Sequence, residues 1–467
     1  MPITAILEML ALIAIMTFLG VLLGIFTGLV PGIHVNLVSF LIVSSSATIF
    51  AAASMFAGNR STAALLAASL IAGMMISHSF MDIIPSVFLG APDPAASLSV
   101  LPGHRLVMEG RGYRAVLFSA YGSLGALFIA IVFLFPVRFL MGPPGLAYEK
   151  LVPYMADILI LLVLFLIVQE GQKTEGRERY RQMGFALASF LLSGFVGFLL
   201  LDAPNISRLF ISPIRTDTST CIFFPLFTGL FGLSTLLISL RDSAEIPEQS
   251  TDEEWEGYGK RGIVSAVTGT VAGLLVGWFP GITSASATSA VKSVSKEDSA
   301  EDFIMSVSGV NTAGVLFSLI ALFTIMKARS GAVHAVENIL MLGRGGIERW
   351  NAFLPPGDFA ALLFSATLAS ILAFFLTLKI GRYAAKKMSR INYSALVKGV
   401  SIFLIAMTLL LTGPFGLFIL LLATIIGMIP TMTGINRVHL MGVLLLPIIL
   451  YFCGLDTWLL HLLGVVG

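Results

Sequence analysis

Two stretches of this chain stop being oily at the same kind of place. "GVLLGIFTGLVPGIHVN" breaks at Pro31 and Gly32, then offers His34, Asn36 and Ser39. "GTVAGLLVGWFPGITSASATS" breaks at Pro280 and Gly281, then offers Thr283, Ser284, Ser286, Thr288 and Ser289. Proline removes an amide donor and clashes with the preceding turn. A helix that restarts after such a break points free N–H groups and a positive dipole end at the gap, which suits an anion. Short hydroxyls beside the gap add donors without bulk. The chemistry this predicts is binding of one small anionic substrate between two half-helix ends. Taken alone, the Ser/Thr run fits helix-to-helix hydrogen bonding in a membrane equally well.

Further polar groups interrupt oily runs elsewhere. Ser77, His78, Ser79 and Asp82 lie in "ISHSFMDIIPS", Asp93 in the proline-rich "LGAPDPAAS", Asn311 and Thr312 in "SGVNTAG", and Lys327 and Arg329 in "FTIMKARSGA". Ionisable residues inside spans are functional candidates by default, although near a span end they can simply reach the interface. A cavity-facing Lys327 or Arg329 would pair with an anionic group. His78, Asp82 or Asp93 would serve charge pairing or coupling, an aspartate carrying a proton or helping to bind Na⁺. Asn436, Arg437 and His439 in "GINRVHLMG" follow a weaker Gly427/Pro430 echo and read as a loop at the membrane surface. No Walker A, G-x-S-x-G, H-E-x-x-H or metal-spaced cysteine pattern is present, so no residue set argues for an enzyme, a metal or another cofactor.

The elements that must hold these groups are membrane helices. Hydrophobic residues make up 57% of the 467 and charged residues 12%, with a mean hydropathy of +0.95. Soluble domains carry about 25% charged residues. A span needs about 20 apolar residues, which leaves room for roughly ten. The net charge of +2 carries little information, and nothing suggests nucleic-acid binding. Cys221 and Cys453 sit in oily runs and read as core residues. "MPITAILEML" lacks the marks of a cleaved signal and reads as the start of a first span. Lys and Arg concentrate on the cytoplasmic side, which places the loops 105–114, 170–183, 241–261 and 379–390 inside. Span 113–140 then runs outward, span 359–380 runs inward, and the N-terminus is extracytoplasmic.

The chain also repeats itself. Gly20, Gly24, Gly28, Pro31 and Gly32 match Gly269, Gly273, Gly277, Pro280 and Gly281 at one constant offset. "AVLFSA" from Ala115 matches "ALLFSA" from Ala361, in spans that cross in opposite directions. The expected fold class is therefore an all-α polytopic membrane protein with two inverted-topology repeats and Gly/Pro-broken helices. Residues 1–140 form repeat one, 141–261 three linking spans and an acidic loop, 262–390 repeat two, and 391–467 the C-terminal spans. Such repeats with broken helices at matched positions point to a transporter and its binding site.

Several segments resemble a known family. "GIFTGLVPG", "LGAPDPAASLSVLPGHRLVMEGRGYRAVL" and "FFPLFTGLFGLSTLLISL" are similar to the large membrane subunit of the tripartite tricarboxylate transporters, in order and spacing, over most of residues 15–330. The resemblance implies a carrier for carboxylates driven by an ion gradient, with a small membrane subunit and an extracytoplasmic binding protein as partners. The first break departs from the family's P-G-L-G-P, and Pro102, Gly103, His104 and Arg105 stand where the family has D-G-Y-P. "PGITSAS" also looks like the P-G-V-S-G-G-T breaks of polyprenyl-phosphate transporters, so a translocase for an anionic lipid is the alternative. The remaining partners are membrane lipid and a second copy in a homodimer.

Overall fold

The computed structural model describes residues 3–30, 33, 35–45, 59–89, 100–172, 174–202, 218–240, 247–252, 259–280, 282, 284–295, 299–388 and 393–464. Among these the regular elements are all helical. The first part comprises α1 (Ile3–Leu29), α2 (Val35–Ser44), α3 (Arg60–Met81), α4 (Ile83–Leu89), α5 (Val100–Met108) and α6 (Gly112–Met141). Next come α7 (Ala147–Leu151), α8 (Met155–Gln172), α9 (Gly176–Asp202), α10 (Thr218–Phe227) and α11 (Ser234–Ser239). The third part comprises α12 (Gly259–Trp278), α13 (Ser284–Ser295), α14 (Ala300–Ile325), α15 (Gly331–Arg344) and α16 (Gly357–Met388). Then follow α17 (Tyr393–Thr433), α18 (Gly442–Cys453) and α19 (Asp456–Leu462). Among the described residues nine helices are long and apolar enough to cross a membrane, or ten if the bent pair after Arg437 is one span. This agrees with the count expected from composition, and the protein is a multi-pass membrane protein.

The two glycine stripes bring backbones together, as small residues do in membranes. α1 lies on α3. A Cβ on Gly24 would stand 2.5 Å from the Met74 carbonyl oxygen, and one on Gly28 2.6 Å from the Met81 Cβ. α12 lies on α14 in the same way. A Cβ on Gly269 would stand 2.7 Å from the Ser306 carbonyl oxygen, and one on Gly273 2.7 Å from the Ala313 Cβ. The partners opposite the stripes correspond one to one: Leu70 with Ser306, Met74 with Val310, Met81 with Phe317, Asp82 with Ser318. They keep a single offset, as the glycines do.

Helix directions follow from which residues meet. In both stripes the contacts advance together along the two chains, so α1 runs parallel to α3, and α12 parallel to α14. α16 runs parallel to α3, because Ala361 packs with Leu65 and Leu66 while Thr377 reaches Met81. α6 runs parallel to α14, with Gly122 against Met305 and Gly142 against Thr324. α6 and α16 are antiparallel, with Gly381 against Val116 and the Phe374 ring 5.0 Å from that of Tyr121. Two parallel sets therefore oppose each other: α1, α3 and α16 in one, α12, α14 and α6 in the other. The last long helix of each segment packs into the other segment's set. α3 and α14 lie at the centre. In the most apolar 18 residues of Arg60–Phe88 94% are buried, and in those of Ala300–Ile325 89%, whereas the corresponding stretches of the other spans range from 28% to 56%.

One end of the bundle gathers polar loops that the charge pattern assigns to a single side. Gln249 accepts from the Gly112 amide (2.8 Å) and donates to the Val107 carbonyl (2.9 Å). Arg111 and Arg114 both reach Glu301 at 3.2 Å, and Arg382 lies over the Tyr113 ring. At the other end the buried Arg138 donates through Nε and Nη2 to the Trp350 carbonyl, at 3.2 and 2.8 Å. Arg349 there donates to the Thr324 carbonyl and to Glu149.

The remaining helices form a flank. A π-helical stretch, Thr228–Leu233, joins α10 to α11. The long helix α17 crosses it closely, with Gly427 against the Leu230 carbonyl. α17 bends at Gly413, whose φ of 69° needs a glycine because an L side chain is strained there. The "GINRVHLMG" segment corrects the expectation of a surface loop. It forms a 3-10 turn, Arg437–Met441, with His439 buried and its Nε2 3.2 Å from the equally buried Glu170. Cys453, expected in the core, is exposed at the end of α18.

Candidate functional site

Where α3 crosses α14, polar side chains from both meet. Ser79 and Thr312 share a hydroxyl–hydroxyl hydrogen bond of 3.1 Å. Asn311 donates through Nδ2 to Asp82 Oδ2 at 2.6 Å. One turn back on α3, His78 Nδ1 lies 3.0 Å from Thr27 Oγ1 of α1. That hydroxyl also donates to the Gly24 carbonyl (3.2 Å). His78, Ser79, Asp82 and Thr312 are all buried, and Asn311 is partly exposed. A buried carboxylate is tolerated only with partners, and here a neutral amide from the opposing helix is one. One turn earlier on α14, Ser308 bonds Ser119 of α6 at 2.7 Å.

The local sequence explains this placement. Asp82 stands between α3 and α4, and the Ser86 hydroxyl donates to its carbonyl at 2.6 Å. The stripe of Gly20, Gly24 and Gly28 draws α1 so close that Thr27 can reach His78. On α14, Asn311 and Thr312 lie within the turns that face α3. A carboxylate, an imidazole, an amide and three hydroxyls from α1, α3 and α14 form a set able to hold or release a small cation. Groups of this kind inside membranes mark ion and proton pathways.

The structure thus brings Asp82 to Asn311 and Ser79 to Thr312, and holds His78 one turn back against Thr27 of α1. It does not bring the two breaks into mutual packing among the described residues: α2 rests on α15 and α3, while α13 rests on α12, α14 and α8. Asn36, expected at the substrate, reaches the start of α15, its Oδ1 accepting from the Ala332 amide at 2.8 Å. Pro280 lies partly buried in the turn that ends α12. Ser284 and Ser286 are buried at the start of α13, where Thr288 donates to the Ser284 carbonyl (2.6 Å). Lys327 is exposed. Arg329 lies in the connection between α14 and α15, its guanidinium 4.8 Å from the Tyr148 ring centroid. Pro31, Gly32, His34, Asp93, Gly281 and Thr283 lie outside the described residues.

Two participants escaped the sequence reading. Thr27 is hidden among the glycines of an oily stripe. Ser119 carried a signal, since it belongs to "AVLFSA" and matches Ser365 of "ALLFSA". The Glu170–His439 pair is distant in sequence, and no local pattern joins its members.

Comparison with known proteins extends the resemblance beyond the motifs that first suggested it. An uncharacterized protein of the archaeon Methanocaldococcus jannaschii is 27% identical over 446 residues, covering 93% of this chain and 97% of its own length. No solved structure matches. The match to the tripartite tricarboxylate transporter TctA family spans residues 14–442 and takes in both glycine stripes, both breaks and the α3–α14 crossing. The chain therefore belongs to the tripartite tricarboxylate transporter TctA family, a family of membrane transporters rather than of enzymes.

Proposed function

We propose that this chain is a secondary carrier of the cytoplasmic membrane for a small organic anion of the di- or tricarboxylate class, driven by an ion gradient. The observation that carries the reading is the meeting of Asp82 with Asn311 and of Ser79 with Thr312 across the two most enclosed helices, with His78 one turn back against Thr27 of α1. In this reading residues 1–140 and 262–390 are inverted-topology repeats. The opposed directions of α6 and α16 support it, as does the one-to-one correspondence of the residues facing each glycine stripe. The substrate lies near the crossing, flanked by the broken segments 31–36 and 280–286, since α2 rests on α3 and α13 on α14. Asp82, with His78 beside it, takes the coupling H⁺ or Na⁺. The amide and hydroxyl of Asn311 and Thr312 exchange partners as one set of helices moves against the other. The N-terminus faces outward. A small membrane subunit and an extracytoplasmic binding protein are the working partners.

The test is uptake by the purified chain in liposomes, with labelled citrate, labelled succinate and a short-chain polyprenyl phosphate, under an imposed Na⁺ or proton gradient. Gradient-dependent citrate or succinate uptake, abolished by Asp82→Asn, is expected. Movement of the polyprenyl phosphate with no carboxylate uptake would replace this reading with the lipid translocase.

A further inference from the structure

Arg329 is a cation whose most useful edge is unspent. Its Nε and Nη2 are shut off from solvent, yet neither has a hydrogen-bond partner among the described residues. These two nitrogens form the side of the guanidinium whose N–H bonds point the same way, the side that grips a carboxylate with two parallel hydrogen bonds. The same protein shows that edge in use elsewhere: Arg138 spends its Nε and Nη2 on the Trp350 carbonyl. Other arginines nearby are likewise engaged, Arg349 with Thr324 and Glu149, Arg344 with Asp358. Arg329 is held in place from behind, its guanidinium against the Tyr148 ring.

Leaving a sequestered guanidinium edge unpaired is costly, and such an orphan in a folded protein calls for a reason. The surroundings supply no anion. No carboxylate lies within ion-pair distance of Arg329 among the described residues, and Glu149, the acid next to Tyr148, is engaged by Arg349. Two residues on, α15 begins, and the positive end of its dipole adds to the Arg329 charge. Asn36 and Ser330 satisfy the Ala332 and Val333 amides there, so the helix start offers field more than free donors. The start of α2 is tied to this place by Asn36. Ser39, three residues further along α2 and so on the same side, is fully buried with an unpartnered hydroxyl.

We propose that the Nε/Nη2 edge of Arg329 is the subsite that grips one carboxylate of the transported anion. The inference rests on the carrier reading and deepens it, because it names the group that selects a planar two-oxygen anion. Asp82 then serves the coupling ion and Arg329 the substrate, each charge with its own counterpart.

The experiment is calorimetric binding of citrate, succinate and inorganic phosphate to the purified full chain, with ligand-free melting temperatures recorded in parallel. Arg329→Lys keeps the charge and loses the fork, and should weaken the carboxylate that binds wild type by about tenfold or more. Arg329→Met should abolish that binding without lowering the ligand-free melting temperature, since it removes two sequestered nitrogens that have no hydrogen-bond partner. A purely structural arginine would give the opposite pair, a lower melting temperature with affinity retained, and that result overturns the proposal. Wild-type affinity in both variants overturns it as well and leaves the carrier reading intact. Binding of phosphate alone, with the same dependence on Arg329, overturns the carboxylate assignment in favour of a phosphate group. Wild-type protein that binds none of the three sinks the carrier reading itself.

Discussion

The α1–α3 and α12–α14 pairs are built alike and furnished differently. Each packs a stripe of three glycines onto the backbone of a buried helix, at corresponding positions. Yet where the first pair has Thr27, His78 and Asp82, the second has Val276, Gly314 and Ser318 at the same offsets. In return, the second pair has Asn311 and Thr312 where the first has Met75 and Ile76. The scaffold is duplicated and the chemistry divided. Titratable groups lie on one helix, and neutral amide and hydroxyl partners on the other. The Asp82 carboxylate on one helix thereby meets a neutral amide from the other.

The strongest way to break this comparison is to disturb the half both pairs share. Gly24→Leu and Gly273→Leu each force a side chain into the facing helix and should each cost about 3 kcal/mol or more. The measure is recovery of monodisperse protein in detergent. If one is tolerated and the other is not, the two stripes are not equivalent.

Next in size is the exchange across the crossing. Asn311→Asp sets a second carboxylate against Asp82 and should destabilise by about 3 kcal/mol or more, as an uncompensated buried charge does. Asp82→Asn preserves shape and should leave a folded protein without gradient-driven uptake. Combining the two restores one acid and one amide, so stability should return. Uptake that also returned would mean the carboxylate works equally well on either helix, and the division of labour would lose its point. Melting temperature and liposome uptake, read on the same four proteins, decide it.

The smallest effect sharpens the comparison. Thr27→Val gives the first stripe the residue the second already has at that place. It removes the partner of His78 Nδ1 and should cost about 1–2 kcal/mol, visible as a lower melting temperature with expression unchanged. A neutral result would mean that His78 is held by its other contacts, and Thr27 would leave the site.

Much of the scaffold was legible along the chain because its signals are local and repeated. Composition and run length announce spans, since a lipid-facing helix must be apolar for its whole length. Glycines at every fourth residue announce a close helix contact because they share one face. His78, Asp82, Asn311 and Thr312 stood out because polar groups in oily runs are rare. Asn36 shows the limit: the chain marks it as a polar group after a break, and whether it meets a substrate or a helix end depends on what packs there. His439 shows another, since "GINRVHLMG" is polar enough to read as a surface loop until Glu170 of α8 is brought beside it.

The sequence by itself determined that this is a polytopic membrane protein, that two stripes of glycine are repeated, and where the helices break. Each of those properties is carried by residues within one or two turns of each other. Only the tertiary structure decided that Asp82 meets Asn311, that Asn36 reaches the start of α15, and that Arg138 spends its paired edge while Arg329 keeps its own. Those outcomes depend on which helices cross and in which direction. That is settled by backbone close approach and packing between segments more than 200 residues apart, as the Asp82–Asn311 separation of 229 illustrates.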